Sequence, residues 1–355
     1  MRKMSIFLMV LFFATIVAGS HSSCLAQAKP IKLLFASFTG ERAFMSDGIK
    51  AFAKDLEEKS GGRIKAEFSW SQALGKIPEY YDLTVKGACD VGFFNPVQCA
   101  KDVFLMASIS TLPFTFPTAE MHTRALLELR KKGLIDKELD DEKIKLLFIA
   151  GDAGSVLLTY KKPVRKLSDA KGLKLHIVPG LQAALAEAME AVPVDMAGAE
   201  VYMALQTGTI DGHFKGYSPL PNFKWCEVTK YVTEPKLGSV FFAVAMNRKS
   251  YERLPKDIQR IVDEMAQDPK YGFISAKQMD DLAEVGRQCL IKHGVEFLEW
   301  EASSLEELGR RLRPVWDKWI ADREAKGLRA KEALKIMYGE FQKMGVKVPA
   351  VGYRP

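Results

Sequence analysis

The sequence predicts an α/β protein built on mainly parallel sheets, and three observations carry that expectation. Residues 31–93 run strand, helix, strand, helix, strand, the order of a parallel sheet covered by helices. Residues 64–70 alternate, with Ile64, Ala66, Phe68 and Trp70 set against Arg63, Lys65, Glu67 and Ser69, the period of a half-buried strand. After Leu254-Pro255 the chain is strongly helical.

The elements follow in order. Arg2 and Lys3 precede an apolar stretch at residues 6–17, and Ala26-Gln27-Ala28 forms a small-residue cleavage site. Residues 1–28 therefore read as a signal peptide removed near Ala28. Ile31-Lys-Leu-Leu-Phe-Ala36 is a buried strand. Phe44, Met45, Gly48, Ile49, Phe52, Ala53 and Leu56 fall at helical spacing, and Ser60-Gly61-Gly62 supplies the stop. A second helix leads to the short strand Asp90-Val91-Gly92-Phe93. Residues 145–150 form a strand broken by Gly151 to Gly154, where a second unit begins. There, 174–178 is a strand, 181–191 an alanine-rich helix, and a helix from Ala199-Glu200 closes at Gly208 before Ile210-Asp211-Gly212 re-enters the sheet. Residues 237–246 read as one apolar strand that crosses between domains. The helical region runs to His293 with a break only at Pro269, a strand follows at 295–298, and helices at 305–325 and 330–344 close the chain.

At 355 residues the chain is too long for one small core and suits two domains. Its net charge is +7, falling to +5 without Arg2 and Lys3, with acids and bases interspersed. No basic run carries interleaved aromatics, which argues against nucleic acid as a partner. No second apolar run approaches the ~18 residues of a membrane span. Cys89, Cys99, Cys226 and Cys289 have no metal-ligand spacing and admit three pairings, of which the sequence selects none; buried free thiols are the plainer reading. No catalytic signature surrounds His122, His176, His213 or His293, so the chain reads as a binding protein without cofactor or metal.

Several short motifs recur in a fixed order. They are Lys59-Ser-Gly-Gly-Arg63, Gln72-Ala-Leu-Gly75, Lys86-Gly-Ala-Cys-Asp-Val91, Leu112-Pro-Phe114, Asp169-Ala-Lys-Gly-Leu-Lys-Leu-His-Ile-Val-Pro179, Glu200-Val-Tyr-Met-Ala-Leu-Gln-Thr-Gly-Thr-Ile-Asp-Gly212 and Asn247-Arg248. Over most of the chain this series resembles the periplasmic solute receptors of tripartite ATP-independent (TRAP) transporters, the DctP type. The resemblance implies two α/β lobes with a cleft between them, hinge closure on a ligand, and a long helix contacting both lobes. It implies a monomer that binds a small organic anion and delivers it to small and large membrane subunits for uptake driven by an ion gradient. On that basis residues 29–150 with part of 237–280 form lobe I, and 151–236 with part of 281–355 form lobe II. A receptor for an ATP-driven transporter or a sensor kinase would use the same binding chemistry.

Ligands in open α/β sheets bind beyond the carboxyl ends of the strands. That rule nominates Ser37, Phe38, Trp70, Phe93, Phe94, Asn95, Asp152, His176, Phe214, Lys215 and Tyr217. At the position of His176 the family usually has an arginine, whose planar guanidinium meets a carboxylate with two parallel hydrogen bonds. Imidazole makes no such fork, and Pro179 lies one residue further on than in the family pattern. His176 is read either as a ligand contact or as a strand histidine satisfied by backbone. Lys215 stands where asparagine is common, and we expect the anion clamp to have moved there; the alternative is a lysine facing solvent. Val156 replaces a second arginine of some members. The rings Phe38, Trp70, Phe93, Phe94, Phe214 and Tyr217 favour an aromatic or other apolar-bodied monocarboxylate over a sugar acid, dicarboxylate or amino acid. Asn95 offers a directional hydrogen bond, and Glu41 or Asp152 would suit an ammonium.

Overall fold

The structure, a computed structural model, describes residues 29–99, 104–112, 116–178, 181–234 and 237–345. The expected signal peptide, Pro179 and the Pro113-Phe114 step of the motif series lie outside the described residues. The strands are β1 (Ile31–Ala36), β2 (Ile64–Ser69), β3 (Val91–Phe94), β4 (Ile144–Gly151), β5 (Val156–Thr159), β6 (Lys174–His176), β7 (Val192–Val194), β8 (Gly212–Lys215), β9 (Tyr231–Glu234), β10 (Phe241–Asn247) and β11 (Glu296–Glu299). They form two sheets, ordered β2-β1-β3-β10-β4 and β11-β9-β5-β8-β6-β7.

Each sheet is parallel except for one strand: β10 runs against β3 and β4, and β5 runs against β8 and β9. The reason is local. The chain passes from the first sheet to the second through residues 152–155, directly from the end of β4 into β5. It returns between β9, which ends at Glu234, and β10, which begins at Phe241. So short a link has no room for the helix that restores a parallel direction. Every other strand is reached through longer chain and ends at the edge where the crossings lie. The carboxyl ends of both sheets therefore face each other across the crossings, which defines the cleft.

The first sheet is covered by helices whose buried faces follow the expected spacing. Helix Ser46–Lys59 buries Gly48, Ile49, Phe52, Ala53 and Leu56, and Phe52 meets Tyr271 edge-on at 4.9 Å. The predicted helical stretch after Leu254-Pro255 is two helices, Lys256–Gln267 and Lys270–Lys292, divided at Pro269 as expected. Helices Ala302–Glu324 and Ala330–Lys343 close the chain; Trp319 and Arg323 of the former bond Ser108 beside the first sheet.

Three sequence expectations need correction. The alternation of 64–70 fades in place, because β2 is an edge strand and Phe68 is 39 % exposed. Residues 237–246 are not one crossing strand: β10 begins at Phe241, lies wholly in the first sheet, and the crossing precedes it. Strands β5, β7 and β9, and helix Ala119–Lys131, were not expected.

The long helix Lys270–Lys292 packs its first half against the first sheet and its second half against the second. At Gly272 an added Cβ would stand 2.5 Å from the Ile149 carbonyl oxygen, and at Gly286 it would stand 2.0 Å from that of Tyr217. Cys226 and Cys289 are joined in a disulfide with Cα atoms 6.1 Å apart, tying the cover of the second sheet to the same helix. Cys89 and Cys99 are free, as the plainer reading of the thiols had it for these two.

The bridge spans 63 positions, so replacing both cysteines by serine should lower unfolding free energy by about 2–4 kcal/mol in urea titration. Gly286→Ala should lower it by about 1–3 kcal/mol despite alanine's better helix propensity, because the backbone of Tyr217 has to move.

Candidate functional site

The site is built from the strand ends upward. In the first sheet, Phe38 stacks on Phe93 at 4.4 Å between ring centroids, and Phe44 and Phe242 complete the group, 5.1 Å from each other. Asn95 follows Phe93 by two residues and Val240 precedes Phe242 by two, so extended backbone carries all four to one face. Asn95 and Val240 line a crevice with Val97, Gln98, Thr111 and Ser239, and Val178 and Gln182 of the second sheet close it. Its room is about 10 Å³, enough for about one water. Asn95 is buried with its Oδ1 accepting from the N–H groups of Val97 and Gln98, which caps the helix Pro96–Cys99.

In the second sheet, β6 and β8 pair in parallel with His176 opposite His213. The alternation of β8 puts His213 and Lys215 on one face and Phe214 on the other. His176 is buried. Its Nε2 lies 3.2 Å from the Met196 carbonyl and its Nδ1 meets no protein partner. Burial and then the Lys215 charge lower its pKa to about 4, opposed by the Met196 carbonyl. His213 is fully buried against the edge of Trp225, 4.9 Å away, with both ring nitrogens unpartnered. Burial, then His176 and Lys215, hold its pKa well below the usual histidine value. Both imidazoles are therefore neutral near pH 7, and Lys215 carries the charge of the group.

Lys215 is half-buried at the end of β8, and among the described residues it forms no ion pair. Burial lowers its pKa to about 8, opposed by the charge of Asp152. Asp152 stands in the first crossing, its Oδ2 3.7 Å from where a Cβ on Gly216 would lie. Tyr217 turns away from the crevice: its O–H donates to Glu234 at 2.7 Å, and burial and that acid raise its pKa.

The structure thus gathers Phe38, Phe93, Asn95, Asp152, His176 and Lys215 about the two facing edges. It does not bring in the others. Phe94 packs on Tyr81 and Phe104 on the opposite face of β3, and Phe214 is fully buried beneath β8. Trp70 stacks on Phe68 beyond the edge strand, and Ser37 is a buried hydroxyl bonded to Thr39. Sequence reasoning missed Val97, Gln98, Thr111, Val178, Gln182, Ser239 and Val240. Two carried a signal: Ser239 is polar in an apolar run and Gln182 is polar in an alanine-rich helix. A larger hollow of about 360 Å³ lies away from the cleft beside helix Ala119–Lys131. Its cations are matched by carboxylates, Arg124 by Glu120, Arg130 by Asp136 and Lys131 by Glu128, so it offers an anion little.

Residues 35–322 match the family described as bacterial extracellular solute-binding protein, family 7, or DctP. The chain belongs to that family. It is a solute-binding receptor of the TRAP class and not an enzyme, and the family's members are periplasmic. The chain is 28 % identical over 303 residues to the C4-dicarboxylate-binding periplasmic protein of Rhodobacter capsulatus, covering 82 % of this chain and 87 % of that one. A TRAP solute-binding protein from Rhodoferax ferrireducens, solved with copurified benzoate, is 26 % identical and superposes with a TM-score of 0.76, covering 89 % of this chain and 98 % of that one. Another from a Sulfitobacter species, solved with β-D-galacturonate, is 22 % identical with a TM-score of 0.72, covering 88 % and 99 %. TRAP receptors bind small organic anions and work with membrane subunits; ligands among the similar proteins differ.

The His176 pKa fixes the sign of one pH effect. The folded imidazole releases its proton near pH 4 and the unfolded one near 6.5. The unfolded state therefore binds more protons between those values, so stability is complete above pH 6.5 and falls toward pH 4. His176→Gln should lose less on going from pH 7 to 4.5 than the wild type does, by about 2 kcal/mol in urea midpoints.

Proposed function

We propose that this receptor captures an aromatic or otherwise apolar-bodied monocarboxylate, with Lys215 meeting the carboxylate and the Phe38–Phe44–Phe93–Phe242 group supplying the apolar floor. The single observation that carries this reading is Lys215: a half-buried ammonium at the cleft edge, bonded to no acid among the described residues, above two neutral imidazoles. Such a cation gains most from an incoming carboxylate, because a charge-assisted hydrogen bond in a poorly hydrated recess is stronger than one in water. Asn95 and the Nδ1 of His176 remain to orient the ligand. The benzoate-bound protein of Rhodoferax ferrireducens supports the reading by analogy.

The crevice is far smaller than the ~300–1,000 Å³ of a small-molecule site. A ligand therefore enters only when the lobes part, and it is held when they close. This is the cycle of a receptor that presents a closed complex to membrane subunits in the periplasm, where the N-terminal leader would send it. Uptake driven by an ion gradient follows from membership of the TRAP class.

Thermal-shift screening of organic acids tests the ligand class. Benzoate and 3-hydroxybenzoate should raise the melting temperature, whereas galacturonate and succinate should not; a shift by the sugar acid alone would overturn the reading. Lys215→Gln should raise the benzoate Kd about 10- to 150-fold in calorimetry, the effect of removing a charged hydrogen-bond partner. With the free lysine titrating near pH 8, the wild-type Kd should rise about tenfold per pH unit above that value, because binding then requires a proton. Lys215→Gln should show no such rise.

A further inference from the structure

We propose that His122 is the pin of the hinge: it holds the first-sheet ends of both crossings as one body, so that the lobes turn about residues 155–156 and 237–238. This inference rests on the receptor fold and not on the ligand class.

His122 lies in the first turn of helix Ala119–Lys131, which Thr118 caps by accepting from the Met121 N–H. The ring is fully buried and stacks on Phe116 at 3.9 Å. Its Nδ1 is 2.8 Å from the Asp152 carbonyl oxygen in the first crossing and 3.2 Å from the Ser239 Oγ in the second. Its Nε2 is 3.0 Å from the Ser110 Oγ. A carbonyl only accepts, so Nδ1 carries the hydrogen and Nε2 accepts from Ser110. The Ser239 hydroxyl also donates to the Asp152 carbonyl, at 2.7 Å. One imidazole and one serine thus satisfy that oxygen together and bind the two crossings to each other.

The surrounding bonds all tie the crossings to the first lobe. The Gly151 N–H donates to Thr123 Oγ1 at 2.9 Å, the Gly154 N–H to the Phe116 carbonyl at 2.8 Å, and the Ser239 N–H to the Ser110 carbonyl at 3.2 Å. The Asp152 N–H donates to the Val240 carbonyl at 2.9 Å, linking the crossings directly. Beyond Gly154 and before Ser239 the pattern changes. The Ser155 N–H donates to the Gly238 carbonyl and the Leu237 N–H to the Ser155 carbonyl, so here, among the described residues, the crossings bond each other. Val156 already belongs to β5. Where the chain itself crosses, what is left is one short two-stranded link beside the long helix Lys270–Lys292, and Gly238 within that link has a φ of +68°, open to glycine and strained for other residues.

The pin also sorts the charges of the site. Asp152 is fixed by its backbone to the first lobe, whereas Lys215 sits in the second sheet. Parting the lobes moves the acid away from the ammonium and leaves the cation to a ligand.

Amide hydrogen exchange of the unliganded protein tests the pin without reference to any ligand. His122→Phe keeps the ring stack on Phe116 and removes both nitrogens; Ser239→Ala removes the second donor to the Asp152 carbonyl. In each, the amides of Gly151, Asp152, Gly154 and Ser239 should exchange at least ~10-fold faster while those of helix Lys256–Gln267 keep their rates. X-ray scattering should show a larger radius of gyration. His122→Asn restores a donor toward the Asp152 carbonyl and should recover part of the protection, which a general packing defect would not. If both variants keep wild-type exchange at these amides, or lose protection evenly throughout the first lobe, the pin is refuted. If His122→Phe does not fold, Ser239→Ala decides by the same criteria. Benzoate is then titrated into His122→Phe, whose ring lies outside the crevice lining, and not into Ser239→Ala, whose hydroxyl lines it. A weaker Kd with Lys215 and Asn95 intact supports a hinge role, and an unchanged Kd beside faster exchange refutes any role in closure. Failure of the wild type to bind benzoate counts against the proposed ligand alone.

Discussion

The whole arrangement depends on how the chain passes between its two sheets. Two short crossings lie side by side and bond each other, and neither leaves room for a helix. That brevity forces β5 and β10 to run against their neighbours, and it leaves every other strand pointing at the crossings. The cleft is thus a consequence of connectivity: the only edges at which loops can meet across the lobes are the carboxyl ends of the sheets. Asn95 on one side and Lys215 on the other, the groups of the proposed site, are brought to these edges by the same rule.

Within that cleft the electrostatics are spare. A guanidinium would hold its charge at any pH and orient a carboxylate by geometry. An ammonium is a point charge on a flexible stem, and burial shifts its pKa readily. With both neighbouring imidazoles kept neutral by burial, Lys215 is the cation beside them among the described residues, where the family pattern has an arginine fork. For the proposed ligand, orientation would then come from shape. The stacked Phe38 and Phe93, with Phe44 and Phe242 against them, form an apolar face that would suit a flat body better than a ring of hydroxyls, which would leave its polar groups unbonded.

Much of this was legible in the sequence, for definite reasons. The helix Ser46–Lys59 and the split at Pro269 were readable because spacing and breakers act locally. Several family motifs were readable because they include turns whose backbone demands glycine, at Gly61, Gly62, Gly87 and Gly208. The strands β5, β7 and β9 were not, since three or four apolar residues have no period to detect and take their direction from partners far along the chain. The site divides the same way. His176 and Lys215 stood out as departures from a pattern. The aromatic nominations were less reliable, because a ring at a strand end faces either the cleft or the core according to a single-residue register: Phe93 lies on one side of β3 and Phe94 on the other. The pairing of Cys226 with Cys289 was illegible too, since it follows from how the long helix lies across the second sheet.

That helix makes the crossings only part of the connection between lobes. Its first half is seated so closely on the first sheet that Gly272 has no room for a side chain, and its second half is seated equally closely on Tyr217 at Gly286 and bonded covalently through Cys289. Tyr217 lies two residues beyond Lys215 on the same strand exit, so the end of the helix is fixed to the backbone that carries the cation. A turn of one lobe against the other therefore has to be accommodated at both the paired crossings and the middle of this helix. The bridge adds most where it stands, because it keeps the far end of the helix moving with the second sheet. It acts together with β11, which follows the helix and pairs with β9, so motion at the hinge is carried to the second sheet and to the strand that presents Lys215.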